Sequence, residues 1–217
     1  WLIGIAVIVK IALSFLLELG NDEVYYFTYA VQPDWNHFDH PPMVGWMIQL
    51  STLNLNWVST LSMRLGSILA AAISTWIVFR IGAFIHNERA GWIAALLYTC
   101  SIYTSIIAGL FIMPDSPQLL FFTASIYLMT KWVLKPHLFT KLNWLVLGAM
   151  IGLATLSKVH GLYLWGGFGG FILFHQIKSL KQPFLYIAVI ITLLALIPIL
   201  YWNMENDFIT YKFIYFI

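Results

Sequence analysis

The sequence predicts an all-α protein whose helices cross a membrane several times. Hydrophobic residues make up 61% of the 217 residues and aromatic residues 17%, which leaves too little polar surface to cover a soluble globule. Several stretches reach the roughly 20 apolar residues that span a bilayer. The run 185–200 is apolar on every side, whereas a membrane β-barrel alternates apolar and polar residues in segments of roughly 10. The predicted fold class is therefore a polytopic bundle of transmembrane helices.

Seven apolar segments are predicted to span the membrane. The sequence begins inside an apolar segment without an initiator methionine and stops inside an aromatic run, so we expect it to be the N-terminal piece of a longer protein. No internal repeat or flexible linker divides it, which favours a single domain over residues 1–217. The predicted spans cover 1–19, 64–85, 90–112, 116–134, 142–157, 162–177 and 184–202.

The first predicted span carries a basic residue near its middle. An unpaired charge at the centre of a bilayer is costly. Lys10 therefore either faces the interior of the bundle or, if residues upstream shift the span, lies nearer the cytoplasmic end and needs no partner. The sequence leaves both readings open.

The segment 20–63 is too polar to cross the bilayer and too aromatic to leave its surface. The aromatic run 25–29 favours the interface and predicts a short helix on the membrane, capped by Asn21 or Asp22. Pro41 and Pro42 force the residues before them out of helical geometry, and a second interfacial helix is predicted from Met43. This outer loop is where we expect the active site, because it concentrates ionisable side chains: Asp22, Glu23, Asp34, Asp39 and His40.

The distribution of charge predicts how the spans are oriented. If the spans alternate in direction, one side has the single acid Glu88 and seven basic residues, so the positive-inside rule makes that side cytoplasmic. The acids of the loop 20–63 and Asp115 then lie at the outer face. The net charge of +2 is too small to indicate a nucleic-acid partner, and the single Cys100 excludes a disulfide within the chain. The seven basic residues are Arg80, Arg89, Lys131, Lys135, Lys141, Lys178 and Lys181.

The order of the polar motifs resembles one family of membrane enzymes. Asp22-Glu23 is followed by Tyr25-Tyr26, and Phe38-Asp39-His40-Pro41-Pro42 opens the next helix, as in the first outer loop of GT-C membrane glycosyltransferases. The branch that the chain resembles contains protein O-mannosyltransferases and lipid A aminoarabinose transferases (glycosyltransferase families 39 and 83). Further matches follow in the same order: Arg64, Met113-Pro114-Asp115, Ser157-Lys158, Trp202-Asn203 and Asn206-Asp207-Phe208.

The resemblance implies an inverting transfer of a sugar from a polyprenyl phosphate to an acceptor. The acceptor would be a lipid A-type glycolipid, a protein hydroxyl or another envelope glycan, at the outer face of a bacterial inner membrane. Asp22 would be the catalytic base, with Glu23 beside it. Arg64 and Lys158 would face a common lateral opening and neutralise the leaving phosphate, since its negative charge grows as the sugar departs. Donor binding or a divalent cation, which stays open as a cofactor, would involve the remaining candidates: Asp39, His40 and Asp115, with Asp22 as a fourth candidate metal ligand.

Simpler readings of the same residues remain. Asp22 and Asp115 could only begin helices, His40 could only occupy a turn, and Arg64 and Lys158 could only extend to the interface as basic residues at span ends often do. Two other classes of protein are alternatives, a multi-span transporter and a non-catalytic membrane scaffold. A transporter would place its ionisable residues near the bilayer midplane rather than at one surface. Convergence of Asp22 and Asp115 on one cavity would count against a scaffold.

Overall fold

All regular secondary structure in the described part of the chain is helical. The computed structural model describes the backbone of residues 1–215 and the side chains of residues 1–212. Shorter helical segments cover Tyr103–Ile107, a π-helix, and the 3₁₀ turns Pro136–Leu138, Val159–Leu162 and Ile177–Lys181. The α-helices are α1 (Leu2–Leu16), α2 (Asn21–Val31), α3 (Met43–Ser51), α4 (Thr60–Ile85), α5 (Glu88–Cys100), α6 (Asp115–Leu134), α7 (Lys141–Ser157), α8 (Tyr163–His175), α9 (Pro183–Glu205) and α10 (Ile209–Tyr215).

A helix occupies each of the seven segments predicted to span the membrane, but the helices differ in length. Within residues 1–215, two helices, α4 and α9, are long and apolar enough to cross a bilayer alone. Helices α1 and α2 reach that threshold only together, and they meet at a bend of 93°. The outer loop contains the two predicted short helices, α2 and α3, separated by a non-helical stretch that ends at Pro41 and Pro42.

The third predicted span, 90–112, is wrong in its second half. Helix α5 ends at Cys100, and after the π-helix Tyr103–Ile107 the chain turns without regular structure up to Pro114. Serine and threonine hydroxyls compete for backbone carbonyls in this stretch, and the Thr104 hydroxyl donates to the carbonyl oxygen of Tyr98. Pro114 then disfavours a helical conformation in the residue before it. The irregular segment brings the residues just before α6 close to the outer loop.

The cap of α2 also differs from the prediction. Gly20, not Asn21 or Asp22, precedes the helix, and no side chain caps it from that position. Glu23 performs the capping instead, because its Oε2 accepts a hydrogen bond from the backbone N–H of Gly20 at 2.9 Å. Asp22 is therefore free of a capping role.

Lys10 faces the interior of the bundle, as one of its two readings predicted. Its side chain is 7% exposed, and its Nζ lies beside Gly109 in the turn that follows the π-helix. A Cβ at Gly109 would be 2.6 Å from this Nζ and would also clash with the backbone carbonyl oxygen of Thr104, so a larger residue would crowd this turn. The turn 108–114 and α1 are therefore in close contact.

Two of the three hydrophobic clusters formed by the described residues hold the bundle and its outer loop together. The larger one joins α6, α7, α8 and α9 through Trp132, Trp144 and Ile151, among others. The smaller one underlies the outer loop, where Tyr26 and Tyr29 of α2 pack with Ile48 of α3. The aromatic run predicted to lie at the interface therefore turns two of its tyrosines inward, which anchors the outer loop to the bundle.

The closest helix contact is between α7 and α9 and depends on Gly148. A Cβ at Gly148 would lie 2.4 Å from the carbonyl oxygen of Ala188, and Thr192 Oγ1 donates to the carbonyl oxygen of Gly148 at 2.9 Å. We expect Gly148→Ala to separate the helices and lower the free energy of unfolding by about 1–3 kcal/mol, measured by thermal denaturation in detergent. Gly166→Ala in α8 is the matched control, because nothing lies within 4 Å of its added Cβ. Equal melting temperatures for the two variants would contradict the prediction.

Candidate active site

A buried ion pair connects the outer loop to the bundle. Arg64 in α4 donates from Nε to Glu23 Oε1 at 2.8 Å and from Nη2 to Glu23 Oε2 at 2.6 Å, in the bidentate geometry that guanidinium and carboxylate groups favour. Arg64 is 0% exposed and Glu23 is 3% exposed. The same carboxylate also accepts the backbone N–H of Ile112, at 3.1 Å. Glu23 thus links α2, α4 and the turn before α6.

The remaining donors of Arg64 complete the bend between α1 and α2. Nη1 donates to the carbonyl oxygen of Leu17 and Nη2 to that of Glu18, both at 2.8 Å. These carbonyls follow the last turn of α1 and have no helical partner. The guanidinium is enclosed by these contacts, so it does not face a lateral opening as expected for a phosphate ligand.

Asp22 differs from its neighbour Glu23 in exposure and in hydrogen bonding. Its side chain is exposed, and none of the described residues donates a hydrogen bond to it. It lines a cavity of about 660 Å³ between the bend and the turn before α6, with Phe111 and Met113 on the opposite wall. A carboxylate in this position is accessible to an incoming molecule.

Asp39 is held by hydroxyl groups from α2. Its Oδ1 accepts hydrogen bonds from Tyr25, at 2.9 Å, and from Tyr29, while His40 Nδ1 lies 3.3 Å from its Oδ2. Burial alone would raise the pKa of Asp39, but the interactions with His40, Tyr29 and Tyr25 outweigh it and lower the pKa to about 2. Asp39 is therefore ionised at every physiological pH.

Asp115 and Lys158 form a second ion pair, separated from that of Arg64. Lys158 Nζ donates to Asp115 Oδ1 at 3.1 Å, and the hydroxyl of Tyr103 donates to the same oxygen. Lys158 keeps 29% of its side chain exposed. It lines a cavity of about 460 Å³ together with Asp39 and His40.

Tyr26 of α2 lies close to His40. Burial raises the pKa of its hydroxyl, and the negative charges of Asp39, Asp22 and Asp115 raise it further. Its ring centroid is 5.8 Å from that of His40. Neither of the two cavities is lined by both Asp22 and Asp115, so the convergence of these two carboxylates on one cavity stays a prediction.

The structure does not assemble these residues into a metal site. Across residues 1–215, no group of three or more His, Cys, Asp and Glu side chains is placed to hold a metal ion. Asp39 and His40 form a close pair, but the nearby oxygens come from tyrosines, and Asp115 is bound to Lys158. This donor set does not fit a divalent cation.

The tyrosines that surround the carboxylates were missed by the sequence reasoning, which gave them only an interfacial role. Asp22, Tyr26 and Tyr29 lie at positions i, i+4 and i+7 of a helix and so share one face. That spacing could have indicated that these tyrosines belong to the same site as Asp22. Tyr103, which contacts Asp115, had no comparable signal, because it lies on the π-helix that the sequence did not predict.

The apolar helices are those of a membrane protein. The acids and Lys158 at one end of the bundle form a polar site at its surface. The chain belongs to the dolichyl-phosphate-mannose-protein mannosyltransferase family, whose model matches residues 39–202. This confirms the predicted resemblance and, with the all-helical architecture, the GT-C membrane fold. The protein is an integral membrane protein of a glycosyltransferase family that uses lipid-linked sugars.

One curated relative extends the match over most of the chain. The lipid A galacturonosyltransferase RgtD of Rhizobium johnstonii (strain DSM 114642 / LMG 32736 / 3841) is 26% identical over 191 residues, which cover 86% of this chain and 38% of RgtD. The chain thus spans well under half the length of this relative. No solved structure matches the chain significantly.

Proposed function

We propose that the protein is an inverting glycosyltransferase that moves a sugar from a polyprenyl phosphate to an acceptor at the outer face of the membrane. The observation that carries the proposal is that Asp22 lines one cavity as an exposed carboxylate, while Lys158, paired with Asp115, lines a second cavity together with Asp39. Family membership supports the lipid-linked donor. The charge distribution of the sequence supports the outer face.

Two cavities on this side suit two substrates. The cavity beside Asp22 would receive the acceptor, and the cavity beside Lys158 would receive the sugar and phosphate of the donor. Inversion at the anomeric carbon requires the acceptor and the leaving phosphate to lie on opposite sides of the sugar, so separate cavities for acceptor and donor suit the reaction.

The chemical step needs one base and one cation. Asp22 takes the proton of the acceptor group while the acceptor atom forms a bond to the anomeric carbon of the sugar. The bond from that carbon to the phosphate oxygen breaks, and the electron pair leaves with the polyprenyl phosphate. Lys158 stabilises the growing negative charge on this leaving group. Glu23 and Arg64 act as positioning residues, since their polar atoms are engaged with one another and with the backbone.

The acceptor is proposed only as a class: a lipid A-type glycolipid, a protein hydroxyl or another envelope glycan. The name of the relative RgtD gives lipid A as its acceptor and galacturonic acid as its sugar, so this pair is the first to test. Membrane lipids surround the apolar helices whichever acceptor is used.

Replacing Lys158 tests the donor side of the proposal. We expect Lys158→Gln in the full-length protein to lower kcat/KM for the polyprenyl-phosphate sugar roughly 10²-fold, because a charge-assisted contact in the transition state is lost. The matched control is Lys178→Gln, an exposed lysine at the other end of the bundle, which should transfer normally. Unchanged kinetics of the Lys158 variant would contradict the assignment.

A further inference from the structure

A polar side chain that takes no part in the proposed chemistry lines the donor cavity. Asn36, in the loop between α2 and α3, is 1% exposed, and it lines the cavity of about 460 Å³ that Asp39 and Lys158 also line. Its Oδ1 has no hydrogen-bond partner among the described residues. Buried acceptors without a donor are rare in folded proteins, so this oxygen calls for an explanation.

The orientation of the Asn36 amide is fixed by its other end. Nδ2 donates to the carbonyl oxygen of His37 at 2.8 Å and to Thr210 Oγ1 at 3.2 Å. A carbonyl oxygen can only accept a hydrogen bond, so an inverted amide would set two acceptors against each other at His37. The Thr210 hydroxyl itself donates to the carbonyl oxygen of His37, at 3.3 Å. Oδ1 is thereby held as the free group of the side chain.

The chemistry of the cavity indicates what would donate to this oxygen. A free acceptor attracts a hydroxyl group and repels the oxygens of a phosphate. The volume lies within the roughly 300–1,000 Å³ of small-molecule sites, and Pro41, Tyr163 and Ile199 supply apolar walls for the carbon face of a ring. Because Lys158 at the same cavity is the proposed phosphate contact, the sugar next to that phosphate lies within the same space.

We propose that Asn36 Oδ1 accepts a hydrogen bond from one hydroxyl group of the transferred sugar and thereby contributes to the selection of the donor. The inference rests on the proposed function and adds to it a residue that recognises one hydroxyl group of the sugar. Asn36 is a binding residue here, and the proton and phosphate chemistry stays with Asp22 and Lys158.

The test uses the full-length protein and donors that lack one hydroxyl group. The transferred sugar is first identified with undecaprenyl-phosphate-linked mannose, galacturonic acid and 4-amino-arabinose, and its single-deoxy analogues are then compared with it. We expect one deoxy analogue to lower the kcat/KM of the unmodified protein by about 10- to 100-fold, because a buried polar group left unpaired discriminates strongly. For Asn36→Ala, we expect the kcat/KM of the same analogue and that of the parent sugar to agree within about twofold.

The comparison is a ratio of two donors within one variant, so a smaller folded fraction does not affect it. Thr210→Val provides a second variant, which keeps Oδ1 but removes one of the two contacts that fix the amide, and should reduce the discrimination partly. Asn56→Ala is the control, since Asn56 is exposed and its Nδ2 also donates to a backbone carbonyl, yet it should keep full discrimination.

Two results would overturn the inference in distinguishable ways. If the unmodified protein uses every single-deoxy donor within about threefold of the parent sugar, or if Asn36→Ala keeps the full discrimination, the subsite at Asn36 is wrong while the proposed transfer stands. If the unmodified protein transfers none of the three sugars, the proposed function falls, and the subsite falls with it.

Discussion

Asp22→Asn in the full-length protein is expected to abolish most sugar transfer while leaving the fold intact. Loss of a general base costs roughly 10²–10⁴-fold, and the loss is larger if Asp22 also orients the acceptor. Asparagine has the same size, and the Asp22 side chain makes no hydrogen bond to the described residues that the change would remove. The measurement is the rate of transfer from a polyprenyl-phosphate sugar, with the melting temperature recorded in parallel.

The control for this prediction is another exposed acid of the same side. Asp207 has a φ of 54°, a left-handed conformation that asparagine adopts readily, so Asp207→Asn should fold and transfer normally. Near-normal transfer by Asp22→Asn would remove Asp22 as the base and make Asp115 the next candidate. A variant that fails to fold would show that Asp22 has a structural role not apparent from its contacts.

Glu23→Gln is expected to destabilise the protein strongly, by about 3–5 kcal/mol, because it leaves the charge of Arg64 buried without a counter-ion. The expected result is a large drop in melting temperature in detergent. Arg64→Gln should cost less, since the Glu23 carboxylate left behind can take up a proton, whereas a guanidinium cannot lose one. Comparing the two variants therefore tests whether the ion pair exists and whether an unpaired buried cation destabilises the protein more than an unpaired buried carboxylate.

Glu88→Gln is the matched control for Glu23. Glu88 is exposed in the first turn of α5, where a carboxylate contributes only about 0.3–1 kcal/mol through the helix dipole. A Glu23→Gln variant as stable as Glu88→Gln would contradict a buried ion pair. Loss of transfer at full stability would instead show that Glu23 contacts substrate.

Local sequence patterns predicted the helices of the bundle well. Apolar runs of suitable length indicated where helices lie, and Pro41 and Pro42 indicated the end of the non-helical stretch before α3. The candidate acids could be chosen because ionisable residues are rare in such a chain. These are properties of a few neighbouring residues, which is why a single sequence suffices for them.

Features that depend on contacts between distant residues could not be predicted in this way. Glu23 and Arg64 are 41 residues apart, and nothing near either residue indicates that they are partners. The four glycines of α8, including Gly166, have a local composition that favours close helix packing, yet none of them has an atom within 4 Å of an added Cβ. Close approaches occur at other glycines, such as Gly148 and Gly91, because contact distance depends on the neighbouring helix rather than on local composition.

The bend between α1 and α2 also constrains the order in which the protein can be built. A ribosome delivers Leu17, Glu18 and Glu23 well before Arg64, yet these residues receive four of their hydrogen bonds from that one guanidinium. Until α4 enters the membrane, the corner has carbonyls without donors and a carboxylate without its cation. The bend therefore gains these four hydrogen bonds only once the helix that supplies Arg64 has been made, so the outer loop depends on a residue that follows it in the chain.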